Sequence, residues 1–136
     1  MTADLPTSPN GSSRASLETR IDVVRRLIAA VELNASEEYV SYFTDDAVYK
    51  VGNAAAVVGP ESIRRLADSV ILLIEKVSHD VKNIWELGDT LICEMELRYL
   101  RKDGKTVTVP NLTIVRFEGD RVRSYQAFLD ASSVFS

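Results

Sequence analysis

The chain has 136 residues and a formal net charge of −4, and 46% of its residues are hydrophobic and 26% charged. That length fits one domain, and the composition is that of a folded globular protein, which excludes disorder over the whole chain. The basic residues form no cluster of the kind that binds a phosphate backbone, which argues against a nucleic-acid partner.

Cysteine content and hydropathy indicate the compartment by elimination. Cys93 is the only cysteine, so no internal disulfide can form and a reducing environment is compatible with the chain. No apolar run approaches the roughly 18–20 residues that a membrane span needs. Residues 1–15 lack the apolar stretch of a secretory signal. We therefore expect a cytoplasmic protein that does not associate with membranes.

The first predicted elements are a tail and an amphipathic helix. Residues 1–15 are rich in Pro, Gly, Ser and Thr, so we predict a flexible tail, with residues 16–136 forming a single domain. Ser16 is the predicted helix start. Apolar residues recur at i, i+3 and i+4 from Ile21 to Val31, which predicts a helix to about Leu33.

Two further helices and a short strand are predicted next. Ser36 is expected to cap a short second helix. Thr44–Asp46 is predicted as a turn before a strand at Ala47–Val51, and residues 52–59 as a loop or a second short extended segment. Pro60 suits a first helical position, and the apolar positions that follow predict a third helix to Ile74.

The second half of the chain is predicted to form strands. Four extended segments are separated by glycine-containing turns: Val77–Leu87, Thr90–Arg101, Thr106–Glu118 and Arg121–Asp130. Tight turns between long strands are typical of an antiparallel meander. Helices first and strands later indicate an α+β fold.

Three short motifs in this order resemble a known family. They are Tyr42–Ala47 (YFTDDA), Val58–Ile63 (VGPESI) and Gly119–Val122 (GDRV), the last opening a strand that ends at Asp130. Over about residues 18–134 the chain is similar to the NTF2-like superfamily in its SnoaL-like branch. The resemblance implies a cone, in which a curved four- to six-stranded antiparallel sheet and three N-terminal helices enclose a pocket. It also implies a homodimer through the convex sheet face.

The known activities of that superfamily indicate which activity to expect for this chain. Its members include ketosteroid isomerases, limonene epoxide hydrolases, polyketide cyclases and scytalone dehydratases. The resemblance therefore implies acid–base chemistry without metal or cofactor on a hydrophobic polyketide-, terpenoid- or steroid-like molecule, by an isomerase, cyclase or hydrolase. The alternative is a non-catalytic module that binds a small ligand or dimerises. A single histidine and no cysteine pair argue against a metal site.

Strand alternation divides the side chains of Thr90–Arg101 between two faces. One set is apolar (Leu91, Cys93, Met95, Leu97, Tyr99) and the other is mostly charged (Ile92, Glu94, Glu96, Arg98). A sheet with one apolar face normally buries that face. The resemblance favours the opposite assignment, with an apolar convex face for dimerisation and the charged set lining the pocket. We adopt the second assignment as the prediction.

The predicted catalytic group is Asp130, supported by Glu96 and Arg98. The epoxide hydrolases of the superfamily have a pocket aspartate at the place of Asp130, and an Arg-x-Asp pair where this chain has Glu96-x-Arg98. In an apolar pocket the pKa of Asp130 would rise, so that it could exchange protons near neutral pH. Arg98 could then bridge Glu96 and Asp130. The alternative is a surface ion pair worth about 0–1 kcal/mol.

Tyr49 and His79 are the other predicted catalytic residues. Tyr49 matches a water-holding tyrosine of the epoxide hydrolases, although the asparagine expected two residues later is Val51. The ketosteroid isomerase groups fall on Val51, Leu27 and Thr113, so none is present. His79 is the only histidine and the natural acid–base group at neutral pH, whereas scytalone dehydratases use a pair.

A further set of residues is predicted to bind the substrate through pocket walls and polar contacts. The aromatic members could equally belong to an ordinary core. The set is Tyr39, Tyr42, Trp85, Asn111, Thr113, Gln126 and Phe128.

Overall fold

The structure, a computed structural model, describes residues 19–135. It contains four helices and six strands within that range. In chain order they are α1 (Arg20–Glu32), α2 (Ser36–Ser41), β1 (Phe43–Val51), β2 (Val57–Val58), α3 (Pro60–Ile71), β3 (Ile74–Leu87), β4 (Thr90–Arg101), β5 (Thr106–Glu118), β6 (Arg121–Phe128) and α4 (Ser132–Phe135).

All six strands form one sheet in the order β2-β1-β6-β5-β4-β3. Strands β3 to β6 pair as the predicted antiparallel meander. Strand β1 lies parallel to β6, with Val48 opposite Ser124. The α+β class and the single curved sheet are therefore confirmed, and the sheet joins the first strand of the chain to the last.

The turn predicted at Thr44–Asp46 is wrong, because β1 already begins at Phe43. Phe43 is fully buried and lies opposite Val122 of β6. The backbone N–H of Val122 donates to the carbonyl of Tyr42 at 2.8 Å. Phe43 and Val48–Val51 pair with β6, and the turn-forming residues Thr44–Asp46 lie in an irregular stretch between these two paired parts of β1.

Helix α1 begins at Arg20 and is capped by Thr19 rather than started at Ser16, which lies outside the described residues. The Thr19 hydroxyl accepts from the backbone N–H of Asp22 at 3.0 Å, and the Asp22 carboxylate accepts from the backbone N–H of Thr19 at 3.3 Å. This reciprocal capping box satisfies two N–H groups at the helix start. Arg20 donates to the carbonyls of Gly88 and Gly119, which ties α1 to two strand turns.

The other element ends differ by a few residues from the prediction. Ser36 does not cap α2, since it is the first helical residue and the capping position, Ala35, makes no side-chain bond. Helix α3 begins at Pro60 as predicted, but it ends at Ile71, and Ile74 opens β3. The short helix α4 was not predicted.

The apolar face of β4 forms the interior of the protein. Leu91, Cys93, Met95, Leu97 and Tyr99 are all buried, and their cross-strand partners on β5 include Thr113 and Asn111. Glu94, Glu96 and Arg98 are exposed on the outer face. The prediction that the charged set lines the pocket is therefore wrong, because burying unpaired charges would cost far more than burying the apolar set gains.

The length and hydropathy of the helices decide whether any of them could cross a membrane. No helix within residues 19–135 combines the length and the apolar character needed to cross a membrane.

The junction between β2 and α3 depends on Gly59, and we expect Gly59→Ala to destabilise the protein by about 1–3 kcal/mol. Gly59 has φ of 88° and ψ of 155°, a region that L-residues avoid, and an added Cβ would lie 3.3 Å from the carbonyl oxygen of Asp45. The matched control is Gly119→Ala, where φ is 64° and nothing lies within 4 Å. Urea unfolding measures both. A loss at Gly119 equal to or larger than that at Gly59 would contradict the prediction.

Candidate functional site

The predicted catalytic group of Asp130, Glu96 and Arg98 does not converge inside the protein. All three residues are exposed, and no ion pair joins them within residues 19–135. The Asp130 carboxylate accepts a hydrogen bond from the backbone N–H of Ser132 at 3.0 Å. That bond lowers the pKa of Asp130, whereas the predicted role needed a raised pKa. The predicted mechanism is therefore wrong in its geometry and in its electrostatics.

Glu96 and Asp130 instead border an open groove of about 730 Å³, whose lining also includes the interior-face residues Met95 and Asn111. Leu112 and Phe128 contribute apolar surface to the same groove. Because the groove is open, its carboxylates stay hydrated and their charges are screened by solvent. It is a surface feature that lacks the enclosure acid–base chemistry needs.

Three of the predicted substrate-binding residues also lie on the outer face. Gln126 is opposite Ile114, Phe128 is opposite Leu112, and Trp85 is opposite Ile92. Trp85 and Phe128 are about half exposed. Their placement as interior pocket walls is wrong, because the strand register that buries Cys93 and Met95 turns these side chains outward.

The interior contains a cavity of about 20 Å³ between α1 and the sheet. Its helical wall is apolar and includes Val24, Leu27, Ile28 and Val31. The opposite wall carries polar groups, namely Tyr39, His79, Cys93, Thr113 and Tyr125. That volume holds about one water molecule. The cavity thus brings several hydrogen-bonding side chains together in an otherwise apolar interior.

Three tyrosines form a cluster at this wall, in which Tyr39 and Tyr49 are buried and Tyr125 is partly buried. The hydroxyls of Tyr39 and Tyr49 are 2.8 Å apart, and the rings of Tyr49 and Tyr125 stack with centroids 4.8 Å apart. Burial raises the pKa of Tyr49 to about 12 and raises those of Tyr39 and Tyr125 well above the ordinary value. All three phenols are therefore protonated at neutral pH, and either Tyr39 or Tyr49 donates its proton to the other.

The tyrosine cluster continues along β5 through Thr113 to Asn111. Tyr125 and Thr113 both border the interior cavity. The Thr113 hydroxyl donates to Asn111 Oδ1 at 2.7 Å, and both residues are buried. The hydroxyls and the amide therefore form a polar strip across the interior face of the sheet.

His79 and Glu32 form a pair that links β3 to the end of α1. Glu32 Oε2 lies 2.6 Å from the backbone N of His79 and 3.0 Å from its Nδ1. Because a carboxylate only accepts, Nδ1 carries the proton and Nε2 keeps its lone pair. Burial lowers the pKa of His79, and the Glu32 carboxylate partly opposes that shift. His79 is therefore neutral at pH 7 and held in one tautomer.

The structure brings five of the predicted site residues to the interior face: Tyr39, Tyr49, His79, Asn111 and Thr113. Tyr42 is half-buried and its hydroxyl donates to the carboxylate of Glu38, so it belongs to the α2 surface. Glu32 and Tyr125 were not predicted. Assigning the other face of β6 to the interior would have predicted Tyr125. Nothing in the local sequence indicates that Glu32 contacts His79.

Cys93 and the acidic residues offer little metal-binding capacity. Burial raises the pKa of the Cys93 thiol to about 11, so it stays protonated at neutral pH. Within the described part of the chain, no three His, Cys, Asp or Glu side chains cluster as metal ligands do.

Sequence comparison identifies the family of this chain. The SnoaL-like domain profile matches residues 24–125, most of the chain. The chain belongs to the SnoaL-like domain family. The predicted resemblance is thereby confirmed. No protein of curated function matches the chain.

Solved structures confirm the NTF2-like cone. A hypothetical protein with a ketosteroid isomerase-like fold from Catenulispora acidiphila, in complex with trimethylamine, aligns with TM-score 0.79 at 24% identity, over 85% of this chain and 91% of its own. An NTF2-like protein of unknown function from Burkholderia pseudomallei aligns with TM-score 0.79 at 13% identity, over 86% and 97%. A proposed SnoaL-like polyketide cyclase from Jannaschia sp. aligns with TM-score 0.74 at 16% identity, over 93% and 94%.

The pKa of His79, the only histidine, is expected to lie below 6.5, because burial disfavours the imidazolium. Glu32→Gln should lower it further, since the carboxylate favours the charged form. A depressed pKa means that the unfolded chain binds the proton first, so the free energy of unfolding should fall as pH drops below 6.5. ¹H NMR titration of the ring protons measures the pKa. A value at or above 6.5, or a rise in Glu32→Gln, would contradict this assignment.

Proposed function

We propose that the protein is an enzyme that performs acid–base chemistry on an uncharged small molecule in the interior of the cone. The observation that supports this is the meeting of a neutral, oriented histidine with protonated phenols at one buried cavity. A purely structural core would be filled by apolar side chains, since each buried polar group carries a desolvation cost. Family membership makes the interior the natural location for such a site.

His79 is the proposed base. Its Nδ1–H is directed to Glu32, so Nε2 is the nitrogen that can accept a proton from a ligand. Within residues 19–135, Nε2 has no hydrogen-bond partner. The carboxylate of Glu32 then stabilises the imidazolium that forms, as carboxylates do for catalytic histidines elsewhere.

The phenols of Tyr39 and Tyr125 are the proposed donors on the other side of the cavity. Tyr39 is buried and Tyr125 is partly buried, both are protonated, and both border the same space as His79. Abstraction of a proton next to a carbonyl places negative charge on oxygen, which buried O–H donors stabilise more strongly than water does. The arrangement therefore suits proton transfer within an enolisable compound, as in an isomerisation or cyclisation.

Ligand entry requires the cavity to enlarge. Its present volume of about 20 Å³ is far below the roughly 300 Å³ of ordinary ligand sites. One wall is a single helix, α1, which Arg20 fastens at one end and Glu32 at the other. An outward swing of α1 about its Glu32 end, with release of the exposed Arg20 hydrogen bonds, would open the space without disturbing the sheet.

Proton exchange tests the proposal without knowledge of the natural substrate. In D₂O at neutral pH, we expect the protein to accelerate deuterium uptake next to the carbonyl of 2-tetralone, followed by ¹H NMR. His79→Gln should reduce the acceleration by about 10²-fold or more, the typical contribution of a positioned base. The rate should rise with pH through the lowered pKa of His79 and then level off, because only the neutral ring accepts a proton.

The matched control is Asp130→Asn on the outer face, which should leave the exchange rate unchanged. Circular dichroism establishes that each variant is folded. No acceleration by the wild-type protein over buffer would refute the chemistry. Loss of exchange in Asp130→Asn with retention in His79→Gln would move the site to the outer groove.

A second candidate function is a non-catalytic dimerising module, favoured by the apolar surface of the outer face. Trp85, Leu112 and Phe128 are exposed there, and Ile92 and Ile114 lie beside them in the strand register. Contiguous exposed apolar patches mark interaction sites. Two copies packed through this face would cover the patch symmetrically, and a nearly filled interior is compatible with this function.

Trp85→Glu and Leu112→Glu are expected to convert a dimer to monomers, because each would place an unpaired carboxylate within the covered patch. Leu72→Glu is the matched control, since Leu72 is strongly exposed but lies beyond the end of α3. Sedimentation equilibrium at micromolar concentrations gives the mass of each variant. A monomeric wild-type protein, or a dimer unaffected by either substitution, would exclude this interface.

A further inference from the structure

Tyr49 lies behind the wall of the interior cavity. Tyr39 and Tyr125 border the cavity, whereas Tyr49 does not. Tyr49 nevertheless contacts both of them, because its hydroxyl lies 2.8 Å from that of Tyr39 and its ring stacks on the ring of Tyr125. The pairing of β1 with β6 fixes this place, since Tyr49 and Tyr125 are opposite each other in the register. Tyr49 can therefore influence a molecule in the cavity only through these two neighbours.

The hydroxyls of Tyr39 and Tyr49 carry two protons, and one of these lies between the two oxygens. Tyr49 is 8% exposed, and within residues 19–135 its hydroxyl makes no hydrogen bond other than that with Tyr39. If Tyr39 were the donor, the proton of Tyr49 would be buried without an acceptor, which is costly. If Tyr49 is the donor, the remaining proton belongs to Tyr39, which borders a cavity large enough for an acceptor atom. This count of protons favours Tyr49 as the donor.

The packing of aromatic rings holds the Tyr49 hydroxyl in place. The ring of Phe43 meets that of Tyr49 edge-on with centroids 5.8 Å apart, and the ring of Tyr39 does so at 6.2 Å. Phe43, Tyr39 and Tyr49 are all buried. Aromatic contacts of this kind restrict the orientation of each ring. The donor is therefore fixed before a ligand binds, and it occupies one side of the Tyr39 oxygen.

We propose that Tyr49 is a positioning residue, which donates to the Tyr39 oxygen and thereby turns the Tyr39 O–H toward the molecule in the cavity. The inference rests on the proposed acid–base function of the interior site. As negative charge develops on the ligand oxygen, Tyr39 strengthens its hydrogen bond to that oxygen, and the bond from Tyr49 stabilises the charge shifted onto the Tyr39 oxygen. Tyr49 keeps its own proton throughout and does not touch the ligand.

Removal of one hydroxyl tests the positioning role. Tyr49→Phe keeps the ring but removes the donor to Tyr39. In the deuterium exchange of 2-tetralone, kcat should fall by about tenfold, the effect of one well-placed hydrogen bond. KM should stay unchanged, because the lost interaction acts in the transition state. The matched control is Tyr42→Phe, which also removes a hydrogen-bonded hydroxyl, but on the α2 surface, and should keep the wild-type kcat.

A double-mutant cycle separates positioning from structural support. In the Tyr39→Phe background, Tyr49→Phe should cause no further loss of kcat, because Tyr49 acts only through the Tyr39 hydroxyl. Equal losses in the two backgrounds, or an unchanged kcat in Tyr49→Phe, would overturn the positioning role and leave the interior site intact. Absence of exchange catalysis by the wild-type protein would overturn the interior site and the role of Tyr49 together.

The direction of the hydrogen bond can be measured without catalysis. Tyr39→Phe should lower the melting temperature more than Tyr49→Phe does, because only Tyr39→Phe leaves a buried O–H, that of Tyr49, without an acceptor. The two variants are matched, since each removes one hydroxyl of the same pair. Thermal unfolding followed by circular dichroism gives both values. A lower melting temperature for Tyr49→Phe would identify Tyr39 as the donor and overturn the proposal.

Discussion

The burial of one continuous apolar face on β4 is the constraint from which the rest of the structure follows. Leu91, Cys93, Met95, Leu97 and Tyr99 alternate with charged residues, so only one side of the strand can face α1. Because side chains alternate with a period of two, this choice fixes the inward residues of both neighbouring strands. It places His79 on β3 and Thr113 on β5 inside, and it turns Glu96 outward.

Some polar side chains are buried in the interior even though protein cores are generally apolar. Each is held by a specific partner: Tyr39 by Tyr49, His79 by Glu32, and Asn111 Oδ1 by Thr113. Pairing reduces the cost of burial but does not remove it. Functional sites commonly contain buried polar groups in spite of their desolvation cost. A polar group positioned in a dry environment interacts more strongly with its ligand than a hydrated one does. The outer carboxylates are hydrated, and the pKa of Asp130 is lowered instead of raised.

Much of the fold could be predicted because it depends on local signals. Glycine turns fixed the four long strands to within a few residues, and helical periodicity located α1 and α3. The start of β1 could not be predicted, because Thr44–Asp46 are turn formers and the strand begins at Phe43 only through the long-range pairing of Phe43 with Val122 of β6. The cap at Thr19 is not distinguished by the sequence from a start at Ser16, because both residues are common at helix N-caps.

The candidate site was predicted less well, because it depends on which face of the sheet is buried. The alternation of β4 favours the observed assignment, whereas the resemblance to the superfamily favours the opposite one. His79, Tyr49, Tyr39, Asn111 and Thr113 belong both to the predicted set and to the interior face. Glu32 could not be found from the sequence, because its contact with His79 spans 47 residues and depends on how α1 packs.

The parallel pairing of β1 with β6 has a consequence for how the protein is made. Val48 and Ser124 are neighbours in the sheet although most of the chain separates them. During synthesis, the helices and β1 leave the ribosome long before β6, with which β1 pairs. The side chains of these early elements that are buried in the folded protein are therefore exposed to solvent until β6 has been made. The hairpins of the meander can form one after another as they emerge. The sheet is completed last, when β6 inserts between β1 and β5. Folding of such a topology is slow compared with that of a helical bundle, and the exposed early segments are natural clients for chaperones.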